Sequence, residues 1–169
     1  MPALFRDRMH DLDTYIREVI SSATEDLLII TPYLSPAGIE SLKKSLFIAA
    51  DKGVWIRLLT SNLDSDMAMN SDAVNDLLSD PGASSLRSRF RILSTPPDNA
   101  TLFHSKAIIA DRARGYLGSA NISQSAFENN FELGVSLTPF QARTIEDIIS
   151  YMETTGTIVD FSTRFISQD

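Results

Sequence analysis

Two residues of this chain are spaced as a reactive group and its charge partner: His104 and Lys106, in His104-Ser105-Lys106-Ala107-Ile108-Ile109-Ala110-Asp111. The apolar run after Lys106 predicts a strand, and side chains two apart on a strand share a face. An imidazole can serve as nucleophile or general acid near neutral pH. A lysine on the same face supplies a fixed positive charge for a phosphate oxygen. After six further residues come Gly118-Ser119-Ala120-Asn121, read as the junction of a strand and a helix. Glycine lets the backbone approach a ligand closely, and amides at a helix start point toward an anion. Ser119 and Asn121 add side-chain donors, so the three features together make a phosphate pocket.

This constellation resembles the signature of the phospholipase D superfamily, H-x-K-x4-D-x6-G-S-x-N. His104, Lys106, Asp111, Gly118, Ser119 and Asn121 match every fixed position. Average composition makes a full match by chance an event on the order of one in a million for a chain this long. The resemblance takes in most of the chain, residues 10–155, and implies a metal-independent phosphodiesterase with no cofactor. In that chemistry one histidine attacks phosphorus to form a phosphohistidine, and a second protonates the leaving oxygen. Water then releases the phosphoryl group, so one hard step becomes two easier ones. The resemblance assigns catalysis to His104 and Lys106, and phosphate binding to Lys106, Gly118, Ser119 and Asn121. Glu132 sits where the family often has a carboxylate that orients the histidine.

Other residues are weighed against plainer roles. Asp111 stands at a turn entry, where an aspartate supports structure. His10, the only other histidine, has no lysine two residues on and reads as a surface or helix-packing residue. A single H-x-K in a mechanism that needs two histidines implies a homodimer with a shared site on its two-fold axis. Arg87, Arg89 and Arg91 alternate as if on one strand face. With Arg112 and Arg114 they are candidates for substrate steering, or else solvated charges. Residues 87–121 hold six basic and two acidic side chains, a net of +4 inside a chain of net −7. Two distant histidines and no cysteine give no metal-ligand spacing.

The elements that must position these groups follow from periodicity. Residues 4–23 carry Leu12, Ile16, Val19 and Ile20 at helical spacing. Residues 27–30 form an apolar run suited to a strand buried on both faces. Ser35-Pro36 opens a helix that ends near Gly53, and residues 54–60 make the next strand, so the three form a βαβ unit. A short helix lies before Pro81-Gly82. Strands are expected at 90–93, 102–110, 115–117 and 131–137, the middle two as a hairpin around Asp111. Short helix 122–127 and a last helix from Thr138-Pro139 complete the reading, with no assignment after Gly156. The fold class is α/β, a mixed sheet flanked by helices.

At 169 residues the chain fits a single domain, 1–169, and its 43% hydrophobic and 22% charged content is ordinary for a globular protein. No apolar run is long enough to span a bilayer and the first ten residues resemble no leader, so a cytoplasmic location is expected. A net charge of −7 argues against a nucleic-acid coat protein, while the local +4 leaves room for a polyanion at the motif. Short single-motif members of the superfamily tend to be nucleases, so nucleic acid is the expected substrate. One alternative is a phospholipid headgroup hydrolase, which should show a basic amphipathic helix or an apolar lip, neither evident in the sequence. Another is a non-catalytic nucleic-acid or phosphate-binding module of a larger assembly.

Overall fold

Leu27, Leu28, Ile29 and Ile30 are each at most 2% exposed, because the strand they form is covered on both faces. That strand is β1 (Asp26–Ile30) of a computed structural model describing residues 11–61, 63, 69–96 and 104–166. Before it lies α1 (Leu12–Ser22), started by Asp11, whose side chain accepts from the Thr14 amide. Ser35 caps α2 (Pro36–Asp51), with Pro36 in the first turn. Next come β2 (Trp55–Leu59), α3 (Met69–Leu78) and β3 (Phe90–Ser94). The hairpin of β4 (Lys106–Ala110) and β5 (Arg114–Gly118) leads to α4 (Gln124–Glu128) and β6 (Gly134–Leu137). The described chain ends with α5 (Pro139–Thr154), β7 (Val159–Asp160) and α6 (Ser162–Ile166).

The strands form one mixed sheet in the order β6-β5-β4-β1-β2-β3-β7. β1, β2 and β3 run parallel, as the βαβ pattern requires, and every other neighbouring pair is antiparallel. Leu27, Ile29, Ile56, Leu58, Ile92, Ile108 and Ala110 point to one face and pack with α1, α2, α3 and α6. Leu28, Ile30, Leu59, Leu93, Ala107 and Ile109 point to the other, under Ala142 and Ile149 of α5. Each fully buried Leu or Ile contributes about 1.5–3 kcal/mol, so both layers are needed to hold β1 and β4 at the centre.

Several expectations shift. Helix α1 begins at Leu12, and the earlier part of the expected helix, with His10, lies outside the described residues. So do Leu102 and Phe103, placed in the expected strand. The last long strand is shorter than expected, because residues 131–133 turn toward the β5 end and bond to Ser119. The tail after Gly156, left unassigned by its sequence, adds β7 to the edge of β3.

The three alternating arginines do not share a strand face. Residues 87–89 form a 3-10 turn, which breaks the period of two before β3 begins. Arg87 Nε donates to the Leu78 carbonyl at 2.7 Å. Arg89 donates to the Gly53 carbonyl at 3.1 Å and covers the Trp55 ring at 4.9 Å. Arg91 pairs with Asp160 at 2.9 Å and Glu153 at 3.5 Å.

Candidate active site

Strand β4 runs antiparallel to β1, with Ile30 opposite Ala107, so Lys106 lies at the carboxyl end of the parallel strands. The lysine side chain is 6% exposed, whereas His104, just before the strand, is exposed. Lys106 Nζ lies 3.2 Å from Nδ1 and 3.2 Å from Nε2 of His104, and donates to the His104 carbonyl at 2.9 Å. Contact with both nitrogens at once sets the ammonium against the ring instead of in line with one lone pair. Burial lowers the Lys106 pKa from the ordinary lysine value, and the Glu132 carboxylate pulls part of the way back.

The last rung of the hairpin pairs Lys106 with Gly118, so the Ser119–Asn121 turn leaves the sheet at the same end as His104. Gly118 must be glycine, because a Cβ there would stand 2.1 Å from the Tyr116 hydroxyl. The turn is laced to the segment before β6. The Ser119 amide donates to the Leu133 carbonyl at 2.9 Å, and the Leu133 amide returns a bond to Ser119 Oγ at 3.1 Å. Ser119 Oγ donates to the Glu132 carboxylate, whose other oxygen accepts from Asn130 Nδ2 at 3.2 Å.

Two expectations are corrected here. The turn is not a helix start: α4 begins at Gln124, capped by Ser123, and the amides of Ser119, Ala120 and Ile122 already have internal partners. The positive charge at this turn is that of Lys106; the Ser119 hydroxyl is donated to Glu132, and Asn121 has a buried Oδ1 lacking any partner among the described residues. Glu132 reaches Ser119 and Asn130, not His104, because its extended segment lies along the turn.

The remaining sequence candidates are elsewhere. Asp111 is at the far end of β4, where Oδ1 accepts from the amides of Glu25 and Asp26, and Oδ2 from the amide and hydroxyl of Thr24, all at 2.9 Å. Asp111 and Arg112 have φ near +53° and +55°, the tight turn that closes the hairpin. Arg112 pairs there with Asp147, and Arg114 lies over the Tyr15 ring. A strand rises about 3.3 Å per residue, so these arginines are roughly 13 Å from Lys106 along β4. Arg87 and Arg89 precede β3, whose start pairs with the start of β2, again at the far end. The positive segment does not surround the motif. Among the described residues no three acidic or imidazole groups gather as a metal site needs.

Composition does not reveal what does lie beside the site. Phe131 (74% exposed) and Leu133 are exposed apolar side chains flanking Glu132 beside the Ser119 turn, whereas Val135, paired with Leu117 on the α5 face of the sheet, and Phe140 at the start of α5 lie farther from Lys106. A groove of about 260 Å3 runs among Leu117, Val135, Phe140 and Ile145. Sequence alone also missed Thr31 and Tyr116, whose hydroxyls hold the turn; nothing in their local pattern marks them.

A mixed sheet that presents H-x-K at a strand end beside a G-S-x-N turn is the arrangement of a phospholipase D-like domain. The family model described as cardiolipin synthase, PLD-like domain, matches residues 16–154, and the chain belongs to that family. It is 30% identical over 145 residues to the probable cardiolipin synthase YwiE of Bacillus subtilis, covering 83% of this chain and 26% of that protein. The chain thus spans about a quarter of that relative's length. Among solved structures it resembles Nuc, a phospholipase D family member from Salmonella typhimurium, with a TM-score of 0.66 and 18% identity over 88% of this chain and 89% of that one. NucT from Helicobacter pylori gives 0.60 at 18% identity, with the same coverage. No helix among the described residues is long and apolar enough to cross a membrane.

Proposed function

We propose that this chain supplies one half of a phosphodiester-cleaving site, shared by two copies, and that its substrate is a glycerophospholipid headgroup ester. The single observation that carries the chemistry is the buried Lys106 ammonium held against the exposed His104 ring. One copy's His104 attacks phosphorus and forms an N–P bond. The P–O bond to the leaving group breaks, and the second copy's His104 gives that oxygen its proton. A water molecule then cleaves the N–P bond, surrendering a proton to the same second histidine. Lys106 of each copy, with the carboxamide N–H of Asn121, balances charge on the phosphoryl oxygens.

The lipid assignment is supported by the exposed apolar side chains of Phe131 and Leu133 beside the Ser119 turn, which a headgroup esterase would lay against acyl chains. The family and the Bacillus subtilis relative named as cardiolipin synthases agree with it. Nucleic acid is the second reading. It is weakened by arginines that stand away from the site.

Mixed vesicles containing a fluorescent phosphatidylglycerol, and fluorescent single-stranded DNA and RNA, incubated in excess EDTA, separate the readings. Headgroup release from the vesicles is the expected result. Cleavage of DNA or RNA alone replaces the lipid assignment with the nucleic-acid one, and binding without any cleavage makes the chain a recruitment module.

A further inference from the structure

Asn121 is the residue of the turn with an unpartnered buried oxygen, and the amides of its two neighbours, Ala120 and Ile122, each donate to a hydroxyl, one from β5 and one from the residue that follows β1. On one side the Ala120 amide donates to the Tyr116 hydroxyl at 3.3 Å; Ala120 is buried, as is Tyr116 at 3% exposure. The same hydroxyl faces the Leu133 carbonyl at 3.5 Å. Glycines at 118 and 134 leave the phenol its room, since a Cβ at either position would come within 2.1 Å of it. On the other side the Ile122 amide donates to Thr31 Oγ1 at 3.2 Å, and Thr31 Oγ1 donates to the Tyr33 carbonyl at 2.7 Å. Thr31 is 1% exposed and follows directly on β1.

We infer that the hydroxyls of Thr31 and Tyr116 are positioning residues, bracketing Asn121 so that its carboxamide is fixed against the phosphoryl group. The inference rests on the phosphodiester reading of the site. A turn whose amides were free would bind an anion through its backbone and need no such fixing. Here the amides on either side of Asn121, those of Ala120 and Ile122, are committed to the two hydroxyls, so orientation of the Asn121 side chain depends on two buried hydrogen bonds. The two hydroxyls come from β5 and from the end of β1, strands that flank β4 and its His104-Lys106 pair on both sides. The bracket therefore fixes the turn relative to the reactive residues and not merely to itself. Transition states feel such registration more than bound substrate does, because displacement of a charge-stabilising group by a fraction of an ångström weakens only the interactions made there.

The test uses Tyr116→Phe and Thr31→Val, each of which removes the hydroxyl and leaves the volume nearly unchanged. Turnover of bis(4-nitrophenyl) phosphate and binding of orthovanadate are measured on the intact protein, well below the melting temperature of each variant. Each substitution is expected to lower kcat roughly tenfold and to weaken orthovanadate by a similar factor, with KM held within about twofold. Variants that melt earlier but keep wild-type kcat and vanadate affinity overturn the bracket and leave the phosphodiester reading standing. A wild-type protein that neither turns over the diester nor binds vanadate removes that reading, and the bracket with it.

Discussion

Lys106 Nζ lies 3.2 Å from both ring nitrogens of His104 and donates to the carbonyl of the same histidine. The two-residue spacing is what allows it: a side chain from the first residue of β4 folds back along the strand end and reaches the peptide it has just left. On the proposed mechanism, a charge held there would face the oxygens of a phosphoryl group bonded to the imidazole.

Lys106→Ala is therefore expected to lower kcat about a hundred- to a thousandfold, the cost of removing one group aimed at developing charge. Lys106→Arg should not rescue it, because a planar fork replaces a point charge in a space that is already closed. Steady-state rates for both variants check this, with circular dichroism to show that the fold is kept. Retention of most activity in Lys106→Ala would mean that another cation does the work.

Turnover is expected to continue in excess EDTA and to disappear in His104→Ala and His104→Asn. Trapping with labelled substrate and rapid denaturation should show an acid-labile phosphoryl label on wild-type protein and none on either variant. Loss of activity to EDTA with recovery on adding magnesium would count against attack by a histidine.

Arg112 and Arg114 stand at the opposite end of β4 from Lys106, one of them paired with Asp147. Replacing both with glutamine is expected to leave kcat/KM within about twofold at moderate salt, since exposed charges beyond a Debye length are screened. A large fall that deepens at low ionic strength would restore their role in steering substrate.

Asp111 predicts an acid-side loss of stability. Burial pushes its carboxyl pKa up, but the donors from Asp26, Glu25 and Thr24 outweigh that and hold it below the ordinary aspartate value. A depressed folded-state pKa means that the stabilisation is fully present above the unfolded value of about 3.9, and is lost as pH falls through the folded one. Asp111→Asn turns an amide N–H toward donors that need an acceptor. It is expected to cost about 1–3 kcal/mol near neutral pH and to flatten the acid limb of the stability curve. Urea melts of both proteins from acid to neutral pH measure it.

Much of this was legible in the sequence because it is local. The β1 run, the Ser35-Pro36 helix start and the βαβ order need only nearest-neighbour patterning, and the H-x-K pair needs only the two-residue period of a strand. What was not legible depends on partners far along the chain. The alternation of Arg87, Arg89 and Arg91 mimics a strand face, yet Arg87 and Arg89 cap carbonyls in a 3-10 turn. Glu132 follows Ser119 instead of His104 because the peptide at Leu133 is paired with residue 119. Thr31 and Tyr116 look like ordinary core-facing strand residues until the turn is folded over them.

The last prediction concerns assembly. The sequence has one H-x-K, and the proposed mechanism brings two histidines to one phosphorus. Strand β4 lies two places in from the open edge at β6. Joining two sheets edge to edge through β6 would put five strand spacings between the two copies of β4, roughly 24 Å, which no single phosphorus can bridge. The two-fold axis is therefore expected to pass over the strand ends, near Lys106 and the Gly118–Asn121 turn, with the copies facing each other there. Mixing wild-type subunits with His104→Ala subunits, after exchange, reads this directly. If both histidines are required, activity falls as the square of the wild-type fraction. A linear fall would show that each chain works alone, and the second proton donor would then have to be sought within one copy.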